Sequence, residues 1–334
     1  MTRKWVRMVV TGCGLAVLVA VPVWVWAEPV VERADVAVEA VRLKSAQVTG
    51  YDASVAANLN AVPGVTVLSQ GMAAGQSDLS IRGSAFSGAG LTVGGIGLTS
   101  PQTEHFHAEL PLAADTFATP RVRTGLDQVR SGTGHLAGTV ELPLLPLETR
   151  RRLSIGGLER GGHWISGLVQ QDLPLSARDG LAAGAGVFGS WLDIPNVDNM
   201  GNAVRKGSGG GRLQLTFPES VVDVVGGHQK KTFGARGYYG VTDEWDAEET
   251  LEYSLLLASW RQDREGDGFL RVSAAWREIE DDYTLFWTLP GVFNNQHKTT
   301  IYDVLGDGVV DIGDRYHALW RVSGRDESIR STNL

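Results

Sequence analysis

Cysteine is nearly absent from this chain: Cys13 is the single one in 334 residues. That excludes a disulfide scaffold and a cysteine-built metal site. No basic excess is present either. The 30 Lys and Arg stand against 38 Asp and Glu, a formal net charge of −8, which argues against non-specific nucleic-acid binding. After residue 27 no apolar run is long enough for a transmembrane helix, so a membrane role would require β-strands. The signatures of catalysis are missing as well. There is no Ser-His-Asp ordering and no nucleophile elbow. The run Gly207-Ser208-Gly209-Gly210-Gly211 lacks the lysine of a phosphate loop and precedes a strand-like segment rather than a helix. The chain is not expected to be an enzyme, and no organic cofactor is expected.

What is present begins with an export pattern. Arg3, Lys4 and Arg7 precede an apolar run from Val9 to Trp26, and the small residue Ala27 stands before Glu28. This reads as a signal peptide over 1–27, too short and too interrupted by Pro22 for a membrane anchor. Residues 28–49 mix charges with valine and alanine and read as an N-terminal arm. Residues 50–147 are rich in glycine and short apolar runs, which suits a compact α+β domain.

From 148 to 334 the texture changes to period-two alternation. Leu213, Leu215 and Phe217 share one face while Arg212, Gln214 and Thr216 share the other. Leu270, Val272, Ala274 and Trp276 likewise oppose Arg271, Ser273 and Arg277. Such alternation predicts strands with one apolar and one polar face. About eight are expected, near 151–160, 163–174, 180–192, 207–217, 220–232, 250–264, 267–281 and 315–325. A soluble sandwich would turn the apolar face inward; an outer-membrane barrel would turn it to lipid and line its lumen with the polar face. Tryptophans near strand ends (Trp164, Trp191, Trp260, Trp276, Trp287, Trp320) favour the barrel. So does the contrast between short connections and the long ones expected at 192–206, 233–249 and 282–314.

Four motifs in order carry a family resemblance. They are Asn58-Leu59-Asn60-Ala61-Val62-Pro63-Gly64-Val65, then Ser77-Asp78-Leu79-Ser80-Ile81-Arg82-Gly83, then Leu91-Thr92-Val93-Gly94-Gly95-Ile96-Gly97-Leu98, and finally the stretch from Arg121 to Leu142. They resemble the plug of TonB-dependent outer-membrane receptors. Ser100-Pro101-Gln102-Thr103-Glu104-His105-Phe106-His107-Ala108-Glu109-Leu110-Pro111 and the segment Lys231 to Tyr239 are similar to cobalamin (vitamin B12) receptor-like members. The family pattern is departed from at Gly94, where it has an acidic or amide residue, and at Leu126, where it has proline.

The resemblance implies an α+β plug over 50–147 followed by an antiparallel transmembrane β-barrel portion over 148–334, about eight strands of about 22. It implies a plug framework of Arg82, Gly83, Gly95, Gly125 and Gly138, with Arg82 bridging to carboxylates of the barrel wall. Asp35-Val36-Ala37-Val38-Glu39-Ala40 becomes the candidate TonB box, an extended segment for strand addition to a TonB-type periplasmic energy-coupling protein. The implied role is active import of a scarce ligand across a Gram-negative-type outer membrane, with cobalamin or a corrinoid first and a ferric siderophore second. The alternatives in other classes are a non-transporting outer-membrane barrel and a secreted β-rich binding protein. Candidate ligand contacts are Gln102, His105, Phe106, His107, Tyr238 and Tyr239. Glu104, His105 and His107 lack an evident further ligand and fit an apical loop better than a metal site. Asp303, Asp307, Asp311 and Asp314, interspersed with Gly306, Gly308 and Gly313, are expected in a long extracellular loop. There they form a candidate calcium site, against the plainer reading of a solvated acidic loop.

Overall fold

The computed structural model of the chain describes residues 55–60, 62–70, 75–103, 105, 108–158, 161–176, 180–196, 201–238, 245–264, 268–312 and 316–332. The expected signal peptide, the expected N-terminal arm and the candidate TonB box Asp35–Ala40 lie outside the described residues.

The N-terminal portion starts with a short helix α1 (Val55–Leu59), which stops before the Pro63-Gly64 turn. Strands β1 (Val65–Gln70) and β2 (Gln76–Ile81) pair antiparallel as a two-stranded sheet. A second sheet has the order β4 (Ile96–Gly97), β3 (Ala89–Val93), β6 (Gly138–Leu142), β5 (Arg121–Arg123), with β3 and β6 parallel. Val55, Leu59, Leu79, Leu91, Val93, Val140 and Leu142 close its core, each at most 2% exposed. The β3–β4 hairpin turns on Gly94 and Gly95 with φ of 55° and 81°. A two-residue turn with both φ positive matches the twist of its strands, and glycine alone adopts it without strain.

The rest of the chain is one nine-stranded antiparallel meander in sequence order. Its strands are β7 (Arg150–Gly157), β8 (His163–Ser176), β9 (Leu181–Ile194), β10 (Val204–Thr216), β11 (Ser220–Gly234), β12 (Glu248–Asp263), β13 (Phe269–Thr284), β14 (Asn294–Ile312) and β15 (Tyr316–Ser331). Most are longer than the ~9–11 residues that a tilted strand needs to cross a bilayer. The connections alternate in length. At one end of the sheet they run over 195–203, 235–247 and 285–293; at the other they shrink to 217–219 and 313–315.

The eight strands expected from the sequence number nine, and the correction lies at 282–314. Asn294–Ile312 is a 19-residue strand, not a loop. Its inward positions are Thr299, Ile301, Asp303, Leu305 and Asp307, all buried, whereas Tyr302 and Val304 are exposed. Polar and apolar residues are mixed on the inner face, so the local pattern loses its period.

The burial of the sheet is inverted relative to a soluble protein. Leu153, Ile155, Val169, Val187, Leu213, Val272 and Val304 are each at least 53% exposed. Their strand neighbours Arg212, Gln214, Asp223, Lys231, Ser273, Arg277 and Asp303 are at most 9% exposed. Alternation therefore places an apolar face outside and a polar face against the N-terminal portion.

Candidate functional site

The inner face of the sheet and the N-terminal domain meet through charged side chains that grip backbone. The largest joint surrounds the β3–β4 hairpin. Arg277 donates from Nη1 to the carbonyl of Thr99 at 3.2 Å and from Nη2 to that of Gly97 at 3.3 Å. Arg321 donates to the carbonyl of Gly95 at 2.8 Å, Arg325 to that of Gly97, and the Ser273 hydroxyl to that of Gly94 at 2.8 Å. Two aspartates hold these cations in place. Asp307 lies between Arg271 and Arg321 in the strand register and accepts two bonds from Arg271, at 2.8 and 2.6 Å. Asp303 accepts from Arg277 at 3.0 Å and from Arg325 at 2.6 Å. Guanidinium groups suit this task because one planar fork reaches a carboxylate and a carbonyl together. A Cβ on Gly95 would lie 2.5 Å from Arg271 Nη2, so the close approach needs glycine as much as the turn does.

A second joint is fully buried. Lys231 on β11 sits 2.8 Å from Glu109 Oε1 and donates to the carbonyl of Gly75 at 2.7 Å; the two charged side chains are 0% and 3% exposed. Four residues away along the strand, a Cβ on Gly227 would collide with the carbonyl of Pro111, so the 109–111 backbone lies directly on the sheet. Two further joints sit near the start of the sheet. Asp115, 1% exposed, pairs with Arg150 at 3.1 Å and Arg152 at 2.5 Å. Arg212 donates to the carbonyl of Leu145 at 2.5 Å, and Gln214 Oε1 accepts from the amide of Leu147 at 2.8 Å.

The residues named from the sequence fall in different places. Gly83, Gly95, Gly125 and Gly138 all have positive φ. Arg82 does not bridge to the sheet. It is exposed in a tight turn with φ 53°, and it pairs with no carboxylate among the described residues. Gln102 donates to Asp281 Oδ2 at 2.8 Å, which ties the 101–103 turn to β13. His105 Nδ1 lies 2.8 Å from Asp78 Oδ2 and 2.9 Å from Gln76 Nε2, and its ring stacks on Phe86 at 4.0 Å. Tyr238 is buried beside Phe233, and burial together with the Glu249 carboxylate pushes its phenol above the ordinary value. It is packed rather than displayed to an outside ligand. Phe106, His107, Tyr239, Glu104 and Asp314 lie outside the described residues.

The loop placement of the candidate calcium residues is corrected. Asp303, Asp307 and Asp311 stand on β14, not on a loop, and the first two are occupied by arginines. Asp311 pairs with His317 at 2.6 Å. Among the described residues no group of three or more His, Cys, Asp or Glu is placed to hold a metal ion. No helix among them is long and apolar enough to cross a membrane.

Sequence reasoning missed Lys231, Glu109, Asp115 and the Arg-Asp lattice. One signal was available: Arg321 and Arg325, like Asp303 and Asp307, are four apart and so share a strand face. The partners themselves are up to 228 positions apart in sequence and leave no local trace.

An antiparallel wall that is apolar outside, polar inside and seated on an inner domain has the architecture of part of a plugged β-barrel. Among solved structures the chain is similar to the copper transporter OprC, with a TM-score of 0.66 at 14% identity, over 84% of this chain and 45% of that one. It is also similar to a variant of the ferric enterobactin receptor PfeA from Pseudomonas aeruginosa, with a TM-score of 0.57 at 13% identity, over 82% of this chain and 46% of that one. The siderophore receptor PirA from Acinetobacter baumannii gives a TM-score of 0.51 at 13% identity, over 83% of this chain and 45% of that one. The chain thus spans less than half the length of each of these. The sequence matches no protein-family model and no curated protein.

Proposed function

We propose that the chain is part of a TonB-dependent outer-membrane receptor that imports a scarce, metal-bearing small ligand. In this reading residues 50–147 are the plug, 148–334 are a portion of a wall of about 22 strands, and the signal peptide at 1–27 directs export. Asp35–Ala40 is the segment offered to the periplasmic energy-coupling protein by strand addition.

One observation carries the reading: the nine-stranded sheet turns its apolar side chains outward and holds an inner domain with buried Arg, Lys and Asp. A soluble sandwich would leave those apolar residues in water and bury the charges without need. A wall facing lipid on one side and a filled lumen on the other satisfies both.

For the ligand, a metal chelate such as a ferric siderophore leads, because the fold likeness is to a copper transporter and to siderophore receptors. Cobalamin, also metal-bearing, is the second reading. It rests on the Ser100–Pro111 and Lys231–Tyr239 segments. The test is titration of the purified chain in detergent with ferric siderophores, a copper salt and cyanocobalamin. Saturable binding of one class is expected, and its identity decides between the two readings. A chain that binds none of them contradicts the receptor proposal.

A further inference from the structure

Where the 110–113 segment of the inner domain lies on the sheet, the two enclose a cavity of about 20 Å³. That is room for one particle of about the size of a water molecule. Across β8–β11 the register sets Ser166, Ser190, Ser208 and Gln229 in one row, and all four line the cavity. Arg152 and Lys206 join them from the sheet, Leu110 and Leu112 from the inner domain; no carboxylate lines it. Gln229 is 1% exposed, and its Nε2 finds no acceptor among the described residues. It stands in mid-sheet, with β10 and β12 on either side of its strand, so its surroundings do not depend on what pairs with the sheet's edges. Nε of Arg152 is likewise buried and without an acceptor among the described residues. Ser190 and Ser208 bond to each other at 2.8 Å, which engages one hydroxyl proton and leaves the other to be given elsewhere. The nearest carboxylate is divided: Asp115 serves both Arg150 and Arg152, one negative charge against two positive.

We propose that this cavity binds one small monovalent anion, chloride or another halide. Gln229 Nε2, Arg152 Nε and a serine hydroxyl donate to it, in the field of Arg152 and Lys206. A halide only accepts hydrogen bonds, which suits a lining with buried donors to spare. It also brings the negative charge that water lacks, and hydrogen bonds to a charged acceptor are the stronger ones. Sulfate, phosphate and carboxylates are too large for a cavity of this size. The anion would fasten Leu110 and Leu112 to the wall beside Glu109, whose pairing with Lys231 holds the same segment. The salt composition around the protein would thereby set how firmly the inner domain is seated. This role is independent of which ligand the protein carries.

The experiment is equilibrium dialysis of the full chain in detergent against radiolabelled chloride, with gluconate keeping the ionic strength constant. One chloride per chain should bind saturably. Bromide should displace it, and sulfate should not. Gln229→Leu keeps the size and removes the donor, and should bind chloride about tenfold more weakly. Gln229→Glu places a carboxylate at the site and should abolish binding. Ser208→Ala is a smaller change and should weaken binding several-fold; it carries the test if circular dichroism shows that the Gln229 variants lose their sheet. In parallel, protease cleavage within 99–111 should slow as chloride replaces gluconate in the unaltered chain and be indifferent to chloride in the variants. No saturable chloride, equal binding by every folded variant, or displacement by sulfate as readily as by bromide overturns the proposal.

Discussion

Lys231 and Glu109 meet at 2.8 Å with both side chains out of reach of water, one on the wall of the sheet and the other on the domain inside it. Breaking such a pair strands a charge in a poorly solvated place, which costs about 3–5 kcal/mol. Lys231→Met should therefore loosen the inner domain by that order. Limited proteolysis of the 99–111 segment, compared with the unaltered chain, measures it. The double variant Lys231→Met/Glu109→Leu should recover much of the loss, because neither charge then remains; no recovery would mean that the bond to the Gly75 carbonyl dominates.

Gly95 is constrained twice, by φ 81° and by the Arg271 side chain next to it. Gly95→Val should cost at least ~1–2 kcal/mol from the backbone alone, and should also displace Arg271 from Asp307. The expected outcome is faster hydrogen exchange at the amides of 92–98, with exchange in β8 and β9 unchanged. Unaltered exchange at the hairpin would show that the arginines do not depend on its close approach.

Asp303 holds two arginines that reach the hairpin carbonyls. Asp303→Asn removes the charge while keeping the shape, so Arg277, fully buried, loses its counterion. The sheet should survive by circular dichroism while the midpoint of thermal release of the inner domain falls. Added calcium should not restore it, since Asp303 acts through arginines and not through a metal ion.

Much of this architecture is legible in the sequence. The strands show because Leu213 and Leu215, or Val272 and Ala274, face one uniform environment and leave a clean period of two. β14 does not show. Its inner face serves both the arginine lattice and small apolar contacts, so Ile301, Asp303, Leu305 and Asp307 alternate among themselves and hide the strand. The joints are illegible for a different reason. Arg277 recognises backbone carbonyls of Gly97 and Thr99, and a carbonyl has no letter in the sequence.

A charge placed on the outer face should be costly in a bilayer and harmless in water. Val272→Arg, on the exposed side of β13, should lower stability in lipid by about 2–4 kcal/mol if it lies near the midplane. Urea titration in lipid vesicles and in detergent gives the comparison. A soluble protein would tolerate the same change at a position that is 55% exposed.

The inverted polarity of the sheet can be read residue by residue along β13. Single cysteines at Val272, Ser273, Ala274, Ala275, Trp276 and Arg277, in a Cys13→Ser background, would carry a fluorophore and be reconstituted with lipids bearing a quencher. Inverted polarity predicts quenching with a period of two, strong at 272, 274 and 276 and weak at 273, 275 and 277. The opposite phase, or an outer face quenched by aqueous ions and not by lipid, would contradict it.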